Sequence, residues 1–127
     1  ELLRVQSLFA AFSQEMTLHM MKEEQILFPY IVKMEVAVTR KRRSLPARFG
    51  TVRGPVAMMM VEHESSGRMF EKMREITGNY LCPSDARVSY QTLYQALPAF
   101  EEDLHQHIHL ENNILFPRSV ELDQGLF

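Results

Sequence analysis

Two stretches of this chain carry one phrase. Residues 19 to 29 read HMMKEEQILFP and residues 107 to 117 read HIHLENNILFP. Laid over one another they match at His19/His107, Glu23/Glu111, Ile26/Ile114, Leu27/Leu115, Phe28/Phe116 and Pro29/Pro117, and further on at Val32/Val120. A histidine and a carboxylate four residues apart stack on one face of a helix. Both pairs fall on apolar stripes: Phe9 and Phe12 lead into the first, Leu97 and Leu104 into the second. A buried carboxylate is costly unless a positive partner sits beside it, and neither stripe offers a Lys or Arg next to Glu23 or Glu111. A metal cation removes the difficulty, because it takes carboxylate oxygens and neutral imidazole nitrogens together. His63, on a third apolar stripe, adds another imidazole at matching height. The candidate ligands are therefore His19, Glu23, His63, His107 and Glu111. Three imidazoles and two carboxylates suit iron or manganese better than a thiolate-rich zinc site. Two carboxylates could also bridge two metals.

Each residue alone has a plainer reading. A single histidine on an apolar face is usually a hydrogen-bonded core residue, and a single glutamate can sit at a stripe's edge. Together, five buried polar groups without a shared partner would cost several kcal/mol. Glu102 and His105 show the Glu-x-x-His spacing of ferritin-like di-iron bundles once. His105 lies ~200° around the helix from His107, so His105 and His109 read as flanking or solvent-facing. Phe28, Phe116, Pro29 and Pro117 read as core and kink residues, and Gly67 as a place where the backbone gives room to the centre or to a packed helix.

Three long helices must position these groups. Val5, Phe9, Phe12, Met16, His19, Glu23, Ile26 and Tyr30 recur at steps of three or four, which predicts a helix over 2–36 that bends or ends at Pro29. A second helix is expected from Pro55 to about Asn79, with the stripe Val56, Met59, Met60, His63, Gly67, Phe70 and Met73. CPSDA, residues 82 to 86, reads as a turn with Ser84 or Asp85 as N-cap. The third helix runs to about Leu122, kinked at Pro98, with the stripe Leu93, Leu97, Phe100, Leu104, His107, Glu111, Ile114 and Leu115. Helices of ~30 residues span ~45 Å; three of them with short turns predict an all-α antiparallel bundle, and no strand pattern competes.

The chain's 127 residues suit one domain with one core. Nine Met, eight Phe and no Trp describe a core that tolerates irregular packing. Cys82 is the only cysteine and reads as inert; a reducing compartment, the cytoplasm, is expected. No signal peptide and no apolar run of membrane-spanning length is evident. The net charge of −2 conceals an asymmetry. Arg40, Lys41, Arg42, Arg43, Arg48 and Arg53 account for six of the fourteen basic residues in a stretch with no acid, so the remainder is net −8. This segment, 38–54 with its Pro46, Gly50 and Gly54, reads as a solvated loop. Phe49 is its one aromatic, too little interleaving for nucleic acid to be an expected partner. An apolar helical pattern is already running at Leu2, which reads as a chain preceded by further residues.

HMMKEEQILFP, VEHE (residues 61 to 64) and HIHLENNILFP together resemble the hemerythrin-like cation-binding bundles, and more narrowly the repair-of-iron-centres proteins. The resemblance implies one domain over 1–127 with an antiparallel four-helix bundle fold, of which three helices are present here. It implies a non-haem di-iron centre with an oxygen-derived bridge, His19, His63 and His107 as terminal ligands, and Glu23 and Glu111 bridging. The implied role is repair of iron–sulfur clusters after nitrosative or oxidative damage, with damaged iron–sulfur proteins as partners. The family carries an earlier helix with two more histidine ligands, which nothing here matches. An apolar groove is therefore expected, filled by upstream residues or by a second copy in a homodimer. A carrier or sensor of dioxygen or nitric oxide would use the same ligands, and a metal-free helical bundle is the third reading.

Overall fold

The computed structural model describes residues 1–39 and 52–124. Five α-helices and two wide π turns join into three rods. The first is α1 (Leu2–Lys22), a π turn (Glu23–Leu27) and α2 (Phe28–Thr39). The second is α3 (Arg53–Thr77). The third is α4 (Val88–Leu110), a π turn (Glu111–Leu115) and α5 (Phe116–Asp123). No strand occurs among the described residues. Successive rods run antiparallel, as the contents of the two core clusters require. One cluster joins Val5 and Phe12 of α1 to Phe70 and Met73 late in α3 and to Tyr94 and Leu97 early in α4. The other joins Leu27, Ile31 and Met34 to Val56 and Met59 early in α3 and to Phe116 and Leu122. The chain is thus an all-α bundle of three long rods.

The π turns are the main departure from the expected first and third helices. Phe28 N–H bonds to Glu23 C=O, and Phe116 N–H to Glu111 C=O, five residues back in both cases. A proline follows each turn at once. Pro29 and Pro117 have no N–H to donate, and their rings would press on a carbonyl one α-helical turn earlier. A widened turn moves that carbonyl aside, so the rod continues where a bend or an end was expected. It also admits one extra residue and shifts the buried face. Ile26 and Ile114, expected on the core stripes, are 53% and 60% exposed, while Leu27, Ile31 and Phe116 are buried.

The second helix follows its predicted stripe closely. Val56, Met59, His63, Phe70 and Met73 are buried, with Ser66 and Thr77 added; Met60 faces out. It begins two residues before Pro55 and stops at Thr77, where Gly78 adopts the left-handed conformation at φ 60°. Asn79 N–H then reaches Arg74 C=O at 2.8 Å and Gly78 N–H reaches Glu75 C=O at 3.4 Å, the Schellman arrangement. The expected cap at Ser84 or Asp85 is displaced. Ala86 N–H closes a turn on Pro83 C=O, and α4 starts after Arg87 with no side-chain cap. Pro98 lies inside α4, which continues through it. Of the basic 38–54 segment, residues 40–51 lie outside the described residues.

Phe70 anchors the first cluster. It is fully buried, edge-on to Phe12 at 4.9 Å and stacked on Phe100 at 6.0 Å between centroids. Truncating a buried Phe removes its transfer free energy and leaves a cavity, so Phe70→Ala is expected to cost about 3–5 kcal/mol. Urea denaturation measures the shift; a midpoint unchanged from the parent chain would contradict it.

The third helix also presents a turned face. Leu93 and Phe100, expected in the core, are 40% and 45% exposed, whereas Tyr94, Leu97 and Glu101 are buried. Leu93 and Leu97, with Leu2, Val5 and Phe9, border an apolar groove between α1 and the start of α4. Glu101 is charge-paired to Arg74 across the α3–α4 contact and lies 3.5 Å from His105 Nε2. His105 is therefore a half-exposed partner of Glu101. His109 is paired with Asn113 on the outer face.

Candidate metal centre

Between the two clusters the three rods bring polar groups to one point. His19 ends a turn of α1, and Glu23 opens the π turn one helical turn on. His63 faces them from the middle of α3. Glu111 opens the third rod's π turn. These four side chains are buried, and each offers a ligand atom within 4.8 Å of all the others. His19 Nε2 is 2.7 Å from Glu23 Oε1, His63 Nε2 is 2.9 Å from Glu111 Oε1, and the two Nε2 atoms are 3.1 Å apart. His107 differs from its expected place. It is 52% exposed, because the shifted face of α4 turns it towards a flank that no described rod covers. Its Nε2 still reaches 3.2 Å from Glu111 Oε1 and 3.9 Å from Glu23 Oε2. All five sequence candidates thus lie around one centre, four of them enclosed and one at its rim. A Cβ at Gly67 would meet nothing within 4 Å, so no described helix packs closely on it.

The outer nitrogens explain why the inner atoms converge. His19 Nδ1 lies 2.9 Å from Glu62 Oε1, and Lys22 Nζ donates to the other Glu62 oxygen at 2.8 Å. A carboxylate can only accept, so His19 carries its proton on Nδ1. His63 Nδ1 likewise donates to Asn112 Oδ1 at 2.8 Å. With Nδ1 turned outwards on both rings, the two Nε2 atoms face inwards, at one another and at carboxylate oxygens. Glu23 Oε1 and both Glu111 oxygens are buried without a hydrogen-bond donor, although imidazole nitrogens stand within contact distance. Electron-pair donors crowded on one point repel unless a cation or protons lie among them. A donor set of two to three imidazole nitrogens and two carboxylates fits a transition-metal cation.

Sequence reading did not find Glu62, Lys22 and Asn112. Glu62 lies off the α3 stripe and reaches across to another rod. Asn112 shares the widened turn with Glu111, and that turn has no simple sequence period. The only available signal was adjacency to a candidate ligand, in VEHE and in LENN.

Without metal, protons must do the cation's work. Burial works against a charge on His19, but the carboxylates of Glu23 and Glu62 outweigh it and raise its pKa above the ordinary range. Burial, aided by the nearby Glu111, pushes the Glu23 carboxyl up. Burial opposes the Glu62 charge too, but Lys22 and His19 overcome it and hold that carboxyl low. A raised folded-state pKa contributes stability that is complete below the unfolded value and lost as pH rises through the folded one. The depressed Glu62 and Glu111 work in the other direction, contributing above their unfolded values and fading as pH falls through their folded ones. The metal-free chain should therefore melt highest on the acid side of neutral and lower as His19 and Glu23 deprotonate. Metal retention should show the opposite slope, because ligands must shed protons to bind. Thermal melts of chelated and loaded protein from pH 5 to 9 compare the two; parallel slopes would contradict the assignment.

Comparison with known proteins agrees with this geometry. Residues 1–119 match the model of the hemerythrin HHE cation binding domain. A probable iron-sulfur cluster repair protein of Haemophilus influenzae is 38% identical over 115 residues, which cover 91% of this chain and 44% of that protein. The iron-sulfur cluster repair protein YtfE of Yersinia pseudotuberculosis is 38% identical over 111 residues, 87% of this chain and 44% of its own length. The Yersinia pestis YtfE is 37% identical over the same extent. The chain thus spans less than half the length of these relatives. No helix is long and apolar enough, among the described residues, to cross a membrane. A buried histidine and carboxylate cluster at the join of three rods, with a family match over nearly the whole sequence, makes this chain a member of the hemerythrin HHE cation-binding domain family.

Proposed function

We propose that the chain holds a non-haem di-iron centre and belongs to a cytoplasmic protein that repairs iron–sulfur clusters damaged by nitrosative or oxidative stress. The observation that carries the reading is the inward convergence of His19, Glu23, His63 and Glu111, buried and short of hydrogen-bond donors. In this reading Glu23 and Glu111 would be the carboxylates shared between the metals, and His19, His63 and His107 would be the imidazole ligands around them. Bound iron would supply Lewis acidity and redox capacity. The chain's own part is to hold neutral imidazoles with their lone pairs inwards, to shield one flank with Phe116 stacked on His63, and to leave one side approachable at His107. The relatives' names support iron–sulfur proteins as the partners. The apolar groove beside α4 is read as covered in the working protein, by a further helix or by a second copy.

The half-exposed His107 favours one alternative, a carrier or sensor that binds dioxygen or nitric oxide at the open side. Iron analysis with optical and Mössbauer spectra, followed by incubation with an iron–sulfur protein damaged by nitric oxide, separates the two. Two irons per chain and recovery of the damaged cluster are expected. Reversible oxygen spectra without recovery would favour the carrier, and purification without iron from iron-replete cells would sink both.

A further inference from the structure

His19 and His63 face each other as near equivalents, yet what stands behind them differs. Glu62, reaching across from α3, accepts the His19 Nδ1 proton at 2.9 Å and is itself tied to Lys22 at the surface. Asn112, on the turn that also carries Glu111, accepts the His63 Nδ1 proton at 2.8 Å with a neutral amide oxygen. The first chain of contacts ends in a carboxylate, the second in an uncharged dipole. An anion behind an imidazole strengthens the lone pair on its far nitrogen, and it fixes ring and tautomer. An amide fixes them with less electron donation.

We propose that Glu62 and Asn112 are positioning residues that make the two metal positions unlike. The carboxylate-backed His19 position is the stronger donor site and favours the more highly charged metal; the amide-backed His63 position favours the lower charge. This rests on the di-iron reading above and deepens it. A half-reduced centre would then hold its ferric ion beside His19 and its ferrous ion beside His63. Lys22, 43% exposed, tempers the Glu62 charge, so its removal should sharpen the difference.

The test uses the protein loaded with ⁵⁷Fe and read by Mössbauer spectroscopy and iron content. Wild type should give two distinct quadrupole doublets of equal area. Glu62→Leu, which removes the acceptor, should weaken one iron by about 10–100-fold and erase one doublet. Glu62→Gln, which keeps an acceptor oxygen, should retain both irons and shift that same doublet alone. Asn112→Leu should erase the other doublet, and Asn112→Asp should bring the two closer together. Far-ultraviolet circular dichroism of the metal-free variants checks that the helices persist. The inference fails if Glu62→Leu and Asn112→Leu keep both doublets unchanged, or if each variant loses both irons together while the helices remain. A wild type with two irons in one indistinguishable doublet would sink the inequivalence and leave the di-iron reading standing. A wild type with no bound iron would sink the di-iron reading itself.

Discussion

Replacing Glu23 with alanine is expected to empty the centre of both metals, whereas replacing His63 with alanine should remove about one. The difference follows from position. Glu23 Oε1 lies 2.7 Å from His19 Nε2 and 3.9 Å from His63 Nε2, and Oε2 is 3.9 Å from His107 Nε2. It therefore faces all three imidazoles, and with Glu111 it is one of only two anions in the cluster. Its loss halves the negative charge available to balance two cations and removes an oxygen from each position. His63 contributes one neutral nitrogen, with His107 beside it on the same Glu111 oxygen. In the metal-free chain Glu23→Ala should also cost stability, because it strips buried His19 of its partner at 2.7 Å and leaves a cavity. Metal analysis and a melt of the chelated variant give both readings. Equal iron in Glu23→Ala and His63→Ala would contradict the bridging assignment.

The second large effect is expected from deleting Gln25. The π turn Glu23–Leu27 holds one residue more than an α-helical turn would. Removing it restores the narrower period and turns everything downstream by about 100° relative to His19 and Glu23. Leu27, Ile31 and Met34, all buried now, would rotate off Val56, Met59 and Phe116. Pro29 would also meet a carbonyl that the wide turn keeps clear of its ring. Burying side chains of that kind stabilises by about 1.5–3 kcal/mol each, so three misplaced ones match much of a small domain's stability, about 5–15 kcal/mol. The deletion should abolish cooperative unfolding of this end and lose iron. Alanine at Gln25, which keeps the residue count, should do neither. A Gln25 deletion that melts like its parent and keeps its iron would show that the turn tolerates either register.

The same turns show where sequence reading succeeded and where it stopped. Apolar recurrence located all three rods, and the duplicated His-x-x-x-Glu located four of the five groups at the centre, because i to i+4 spacing holds as long as the helix is regular. It is regular up to Glu23 and up to Glu111. Beyond each the period changes, so Ile26 and Ile114 were placed inside and lie outside. Pro29 and Pro117 were the visible signs, read as bends when the backbone answered them by widening. His107 was placed on a buried stripe because Leu93, Phe100 and His107 share a period; the rod instead turns Tyr94, Leu97 and Glu101 inwards. Glu62 and Asn112 were invisible because their importance lies in which neighbour they touch across rods.

The hydrophobic interior is split, with one apolar group at either end and the ionisable residues between them. In the absence of metal that middle layer is a fault line, where protons alone hold the polar groups together and little greasy contact spans the gap. The two ends are then free to loosen at different temperatures. A bound cation acts as a rivet through all three rods and makes them come apart together. Loading should therefore sharpen the melting transition as well as raise it, and hydrogen exchange should reveal two separately opening halves only in the stripped protein.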